Sequence, residues 1–179
     1  MVTIILIAIN VFIFYKFNMQ FSEIEFHNFL LQYGLYPQNI NILENWVTSG
    51  FVHFNQAHLI MNMLALLVSG LILEKRIGSL CFAIVYAASL IGGSYAVYLY
   101  IMETGANVVA VGASGAIFGV LAGEAIVSKE FQSFVVSAII YHAIIYAIQL
   151  PIAWYAHVGG AIVGLVITIP FLLLKRPRA

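Results

Sequence analysis

Four polar side chains occur in segments that are otherwise apolar, and they are His58, Asn62, Ser114 and His157. A serine hydroxyl becomes an effective nucleophile when a neighbouring neutral imidazole takes its proton. Imidazole, amide and backbone N–H groups can donate hydrogen bonds to the oxyanion that forms when serine attacks a carbonyl. The residue types therefore predict nucleophilic hydrolysis, with Ser114 as nucleophile and His157 as general base. His58 and Asn62, four residues apart on one helical face, are the predicted oxyanion donors.

A carboxylate that would complete a catalytic triad is missing. The chain contains no aspartate, and we expect no glutamate at the depth of the serine and the histidine. Only a Ser-His dyad is therefore expected. Phe118, one helical turn after Ser114, is placed to pack against the ring of His157, and we expect packing alone to orient the base. His142 is interpreted as a helix-packing residue.

Small residues accompany both members of the predicted dyad. Around the serine they are Gly112, Gly115, Gly119 and Gly123. In the last apolar segment one helical face carries His157, Gly160, Ala161 and Gly164. Stripes of small residues allow two helix backbones to approach closely. Packing of the two stripes against each other would place the histidine beside the serine.

The composition indicates which elements position these residues. Of 179 residues, 63% are hydrophobic and 8% are charged, whereas globular domains carry roughly 25% charged residues. We expect an all-α membrane protein with one domain over residues 1–179 and no cleaved signal peptide. Charges and turn residues delimit six spans: Val2 to Tyr15, Ala57 to Leu73, Leu80 to Met102, Val108 to Val127, Phe134 to Ile148, and Ala156 to Leu174. Residues 16–56 form a long outward-facing loop with short interfacial helices.

The distribution of basic residues predicts the orientation. Six of the seven lysines and arginines follow even-numbered spans: Lys75, Arg76, Lys129, Lys175, Arg176 and Arg178. The positive-inside rule then places both termini in the cytoplasm and the four polar side chains near the outer face. The net charge is zero and no basic patch occurs, which argues against nucleic-acid binding. The single Cys81 cannot form an intramolecular disulfide.

Each of these features also has a purely structural explanation. A serine in a membrane helix usually bonds its own backbone, glycine stripes usually serve helix packing, and an intramembrane histidine is as often structural as functional. The His58 and Asn62 pair could tie helices together. The common depth of all four residues, on segments with complementary stripes, favours a functional site.

At this point the sequence resembles the rhomboid intramembrane proteases, in particular their minimal six-helix bacterial members. The resemblance covers nearly the whole chain. It is carried by residues 112–115 (GASG), 58–62 (HLIMN), 156–164 (AHVGGAIVG), 74–79 (EKRIGS) and 53–54 (HF).

The resemblance implies a six-helix rhomboid-like bundle in the bacterial cell membrane, with a water-filled cavity open to the outer side. Ser114 would be the nucleophile, and His157 the general base and then the acid. His58, Asn62 and the backbone N–H of Ser114 would form the oxyanion hole. The substrates would be single-pass or polytopic membrane proteins, cut at small residues near the outer face, with entry beside the fifth span. No metal or cofactor is implied.

Two positions depart from the family pattern. Many relatives carry a Trp-Arg pair in the first loop, where this chain has Glu44-Asn45 followed by Trp46. This puts in doubt the anchoring of the loop that is ascribed to that pair. Many bacterial members have tyrosine where Phe118 stands, so a hydroxyl that could contact the base is lost.

Three other functions remain open from the sequence. The first is a non-catalytic rhomboid-like protein that binds membrane clients, although such relatives generally lack the serine or the histidine. The second is a channel or transporter, against which the absence of an internal repeat argues. The third is a metal site built from His53, His58 and His157.

Overall fold

The computed structural model describes residues 1–174, and this part of the chain is helical without any β-strand. Its helices are α1 (Val2–Ile13), α2 (Glu23–Tyr33), α3 (Leu43–Thr48), α4 (Gln56–Ile77), α5 (Ser79–Thr104), α6 (Ser114–Ser128), α7 (Phe131–Ala147) and α8 (Trp154–Leu174). A π-helical turn, Phe14–Asn18, extends α1, and a 3-10 turn, Ser49–Phe51, follows α3. The predicted all-α fold class is confirmed.

Each of the six predicted spans corresponds to an apolar helix. By length and composition α4, α5 and α8 are able to cross a membrane, whereas α1, α6 and α7 are apolar but shorter. Large apolar side chains on the outer faces of the bundle are exposed, among them Val68, Leu80, Ile162 and Val166. Such a surface is suited to contact with lipid rather than water. The chain is therefore an all-α membrane bundle. Lys175, Arg176 and Arg178, on which the predicted orientation partly depends, lie outside the described residues.

The fourth apolar helix begins later than predicted. Its predicted start at Val108 is wrong, because α6 begins at Ser114. The chain leaves α5 through Gly105, with φ of +65°, and then runs extended, with Ala110 paired through its backbone to Leu35. Gly112, with φ of +118°, turns the chain into α6. Irregular backbone at this depth is tolerated where protein covers it.

Helix α6 is the centre of the bundle, packed between α4, α5 and α8. Its fifteen residues rise about 22 Å, which is less than the roughly 30 Å hydrocarbon core of a bilayer. Most of its side chains are buried by the neighbouring helices. These contacts fix the position of α6, which begins at Ser114, within the bundle.

The long segment before α4 is folded onto the bundle. The backbone of Leu35 pairs with Ala110, and the Ser94 hydroxyl of α5 donates to the Trp46 carbonyl at 2.7 Å. The buried Asn45 side chain donates to the carbonyls of Gln32 and Gly34 at 2.7 and 3.0 Å. The Asn45 amide therefore holds parts of this segment to one another.

A buried carboxylate, that of Glu74, joins helices at the end of α4. Glu74, near the end of α4, accepts hydrogen bonds from the backbone N–H groups of Val2 and Thr3 at 2.7 and 3.0 Å. It also accepts from the hydroxyls of Thr3 and Ser79. The first N–H groups of a helix have no partner within the helix. Glu74 thus caps α1 and ties it to the junction of α4 and α5.

Candidate active site

Ser114 is the first residue of α6 and lies two positions after Gly112, a glycine that no other residue could replace without strain. The backbone N–H of Gly112 donates to the Ser49 carbonyl at 2.9 Å, which holds the turn against the 3-10 segment. A Cβ atom on Gly112 would lie 2.7 Å from Nε2 of His58. The glycine therefore permits both the positive φ and the close approach of the α4 histidine.

The two predicted glycine stripes face each other across α6 and α8. A Cβ atom on Gly160 would overlap the carbonyl oxygen of Gly115, and one on Gly164 would overlap that of Gly119. The two backbones are therefore in direct contact along two helical turns. This contact determines where the first turn of α8 lies relative to the first turn of α6.

Close packing of the helices brings His157 to Ser114. The Nε2 atom of His157 lies 2.8 Å from the serine Oγ, which is hydrogen-bond distance. The histidine is buried, with 3% of its surface exposed, while the serine is half-buried and open to the site. The ring of Phe118 stacks on the imidazole with a centroid distance of 4.2 Å and an interplanar angle of 5°.

A second histidine contacts the predicted base, His157, directly. Nε2 of His142, on α7, lies 2.9 Å from Nδ1 of His157. The expectation that packing alone orients His157 is therefore wrong. The interpretation of His142 as a helix-packing residue is corrected as well. The available signal was a polar ring in an apolar helix, but the sequence does not reveal which side of the bundle that ring faces.

His58 and Asn62 lie on the other side of Ser114, on the first turns of α4. The Asn55 side chain caps this helix by accepting the backbone N–H of His58 at 2.9 Å. Asn62 is buried, and within residues 1–174 no acceptor lies within hydrogen-bond distance of its Nδ2 atom. That nitrogen lies 3.5 Å from the position of a Cβ atom on Gly112. An unpaired buried N–H donor thus faces the turn that carries the serine.

His53 lies against His58 with the ring centroids 5.0 Å apart in an edge-to-face contact. Burial, and to a smaller extent the adjacent His58, lower the pKa of His53 to about 3, so its imidazole is neutral at ordinary pH. Nowhere in the described range are three or more histidine, cysteine or acidic side chains grouped so that they could hold a metal ion.

A small cavity of about 30 Å³ opens beside Ser114. Its walls are mostly small side chains and backbone, including Gly93, Gly115, Ala153 and Ala156, closed by Leu90 and Val97. A larger apolar groove of about 460 Å³ runs along α5 and α8, and none of the four predicted polar residues lines it.

Comparison with known proteins agrees with this architecture. The Rhomboid domain family matches residues 41–174. RHOMBOID-like protein 4 of Arabidopsis thaliana is 34% identical over 143 residues, which cover 75% of this chain and 34% of that protein. RHOMBOID-like protein 2 of the same plant is 32% identical, covering 74% of this chain and 41% of that protein. Rhomboid protease AarA of Providencia stuartii is 27% identical over 176 residues, covering 81% of this chain and 63% of that protein.

The matched region thus spans between about a third and two thirds of the length of these relatives. The family match extends from the segment before α4 to the end of α8 and includes every residue of the site described above. The chain belongs to the rhomboid family.

Proposed function

We propose that this chain is an intramembrane serine endopeptidase that cleaves transmembrane proteins through Ser114 and His157. The observation that carries the proposal is the 2.8 Å contact between His157 Nε2 and Ser114 Oγ inside a bundle of apolar helices. A buried imidazole at that distance is able to take the serine proton. The membership of the chain in a family that includes a named protease supports the same reaction class.

In the proposed reaction, Ser114 Oγ bonds to the scissile carbonyl carbon while its proton moves to His157 Nε2. The carbonyl oxygen becomes an oxyanion. The C–N bond then breaks, and His157 returns the proton to the leaving amine. A water molecule, deprotonated by His157, attacks the acyl-serine ester, releases the carboxyl product and restores the serine hydroxyl.

The oxyanion requires donors that are in place before the reaction. The Asn62 amide is buried, carries an unpaired N–H group and faces the turn before Ser114. The His58 ring and the backbone N–H of Ser114, which begins a helix and lacks an acceptor within it, are the other proposed donors.

Replacement of Asn62 by alanine is expected to lower kcat by about 10²-fold, as is typical when one oxyanion donor is removed. KM should change little, because the donor acts on charge that is absent from the bound substrate. Steady-state cleavage of a transmembrane substrate measures both constants. The matched control is Asn28→Ala on the exposed face of α2. A full-rate Asn62→Ala variant would remove this residue from the oxyanion hole.

The small cavity beside Ser114 supports a preference for substrates with a small side chain at the cleavage site. Most of its lining residues are glycine, alanine and serine, and they leave room that suits a small substrate side chain, such as that of alanine, better than leucine or phenylalanine. We therefore propose cleavage at small residues of single-pass or polytopic membrane proteins.

The proposed site lies at the starts of α4, α6 and α8. We propose that this end of the bundle faces the outer side of the membrane and that both termini are cytoplasmic.

The test of this function is cleavage of a synthetic single-pass substrate by the purified chain in proteoliposomes. The cut site is mapped by mass spectrometry, and a matched substrate carries leucine in place of the small residue at the cut. We expect cleavage near one end of the transmembrane segment, slowed strongly in the leucine substrate. Binding of intact substrate without cleavage would instead indicate a client-binding protein, and ion or solute flux would indicate a channel or transporter.

A further inference from the structure

A continuous hydrogen-bonded chain runs behind Ser114. Nε2 of His157 lies 2.8 Å from the serine Oγ, and Nδ1 of His157 lies 2.9 Å from Nε2 of His142. Nδ1 of His142 lies 2.7 Å from the backbone carbonyl oxygen of Ala138. We propose that His142 is a positioning residue that holds His157 in the tautomer able to accept the serine proton. This inference rests on the proposed function, because it adds a third residue to the same site.

The carbonyl at the end of the chain determines the position of every proton. A carbonyl oxygen only accepts, so Nδ1 of His142 must carry the hydrogen that it shares with Ala138. In the neutral ring, Nε2 of His142 is then an acceptor. His157 must therefore donate from Nδ1, which leaves its Nε2 lone pair directed at the Ser114 hydroxyl. This is the tautomer that a general base requires.

The same contact stabilises the charge that forms during the reaction. When His157 takes the serine proton it becomes an imidazolium, and its Nδ1–H bond to His142 becomes charge-assisted and stronger. In a Ser-His-Asp triad the aspartate orients the imidazole and stabilises the imidazolium in this way. Here His142 supplies the acceptor as a neutral ring. His142 itself needs to gain no proton, because His157 passes its extra proton to the leaving amine.

The location of His142 favours a role in positioning His157 over a role in helix packing. Helix α7 has no buried residue in the described structure, and its main neighbour is α6. The half-buried imidazole of His142 is thus a polar group on a peripheral apolar helix, where a polar ring is costly unless it is paired. Its ring is paired at both nitrogens, and one of the partners is the base.

Two substitutions at this position distinguish positioning from packing. His142→Phe keeps an aromatic ring of similar size but removes the acceptor for His157. His142→Gln changes the shape but keeps an acceptor, the amide oxygen, at similar reach. The matched control is His27→Phe, which makes the same substitution at an exposed position of α2. The substitutions at position 142 are expected to leave folding intact, since no side chain of α7 is buried, and thermal unfolding in detergent verifies this.

We expect His142→Phe to lower kcat by about 10²-fold with KM nearly unchanged. This loss is smaller than the roughly 10⁴-fold loss that follows when asparagine replaces the aspartate of a triad, because asparagine enforces the wrong tautomer of the base, whereas phenylalanine only allows the two tautomers to mix. His142→Gln should restore most of the rate. The labelling rate with a small fluorophosphonate probe should fall in parallel with cleavage, because the probe reacts with the same activated serine but does not require entry of a substrate helix.

Several results would overturn the inference while leaving the proposed protease intact. One is a His142→Phe variant that cleaves the substrate as fast as the active wild-type protein. Another is a higher cleavage rate for His142→Phe than for His142→Gln, which would indicate that His142 serves packing. A third is slow cleavage with normal probe labelling, which would assign His142 to substrate access. If the wild-type chain neither cleaves nor labels, the proposed function itself fails, and the role of His142 fails with it.

A measurement without turnover tests the tautomer directly. In protein labelled with ¹⁵N-histidine, the ring nitrogens of His157 should report a protonated Nδ1 and an unprotonated Nε2. In His142→Phe the two tautomers should mix, and in His142→Gln the Nδ1–H form should return. A His157 ring that keeps the same tautomer in all three proteins would contradict the proposed positioning.

Discussion

Ser114→Ala is expected to lower the rate of cleavage of a transmembrane substrate by at least about 10⁴-fold. The substitution removes the only atom of the site placed to form an acyl intermediate, the Oγ that lies 2.8 Å from His157 Nε2. Alanine fits at this position because the residue is half-buried at the start of α6, where small side chains predominate. The loss should therefore occur without a change in thermal stability.

The matched control is Ser128→Ala at the other end of the same helix. It removes only a side-chain hydrogen bond to Glu124 and should retain wild-type activity. A Ser114→Ala, His157→Gln double variant should be no slower than Ser114→Ala alone, since nucleophile and base act as a unit. Substrate cleavage and fluorophosphonate labelling measure both expectations. Normal labelling of Ser114→Ala would show that another residue is the nucleophile.

Gly160→Ala is expected to lower both the stability and the activity of the protein, although it adds a single methyl group. That group would overlap the carbonyl oxygen of Gly115 on α6, and a backbone atom cannot rotate away as a side chain can. The helices must separate or shift, which should cost about 3 kcal/mol or more, at or above the upper end of typical overpacking effects. His157 precedes Gly160 by three residues and would move with it. A displacement of about 1 Å is sufficient for a roughly 10²-fold loss of activity.

Thermal unfolding in detergent and the cleavage rate together test this expectation. The matched control is Gly105→Ala, since a Cβ atom there meets nothing within 4 Å. Its φ of +65° makes alanine unfavourable by about 1–2 kcal/mol, but it does not disturb the packing of α6 on α8. Gly105→Ala should therefore remain active with a smaller loss of stability. A Gly160→Ala variant with wild-type stability and rate would show that close backbone contact does not position the dyad.

The segment before α4 is held together by its own hydrogen bonds and is also bonded to the bundle. The buried Asn45 bonds two carbonyls of its own segment, and the carbonyl of Trp46 accepts from Ser94 on α5. The backbone of Gly112 bonds to Ser49 at the end of the same segment. The segment thus contacts the turn before Ser114, so its anchoring also supports the geometry of the site.

Some properties of this protein follow from the sequence alone because they depend on composition and helical periodicity. The apolar composition predicted a helical membrane bundle, since only lipid can accept so much apolar surface. The spacing of Gly160 and Gly164 predicted a face for close helix contact, because residues three or four apart share one side of a helix. The sequence also singled out Ser114, His157, His58 and Asn62 as residues expected to meet near one end of the bundle.

Other properties required the tertiary structure, because they depend on where a chain turns and how a helix is rotated. The start of α6 depends on the pairing of Ala110 with Leu35, residues 75 positions apart, which no local pattern reveals. The contact between His142 and His157 depends on the rotation of α7, whose nearly uniform apolar surface has no distinct face. The sequence thus singled out the residues to which the proposed chemistry is assigned. Only the packing of α7 against the bundle decided that a second histidine, rather than packing alone, contacts the base.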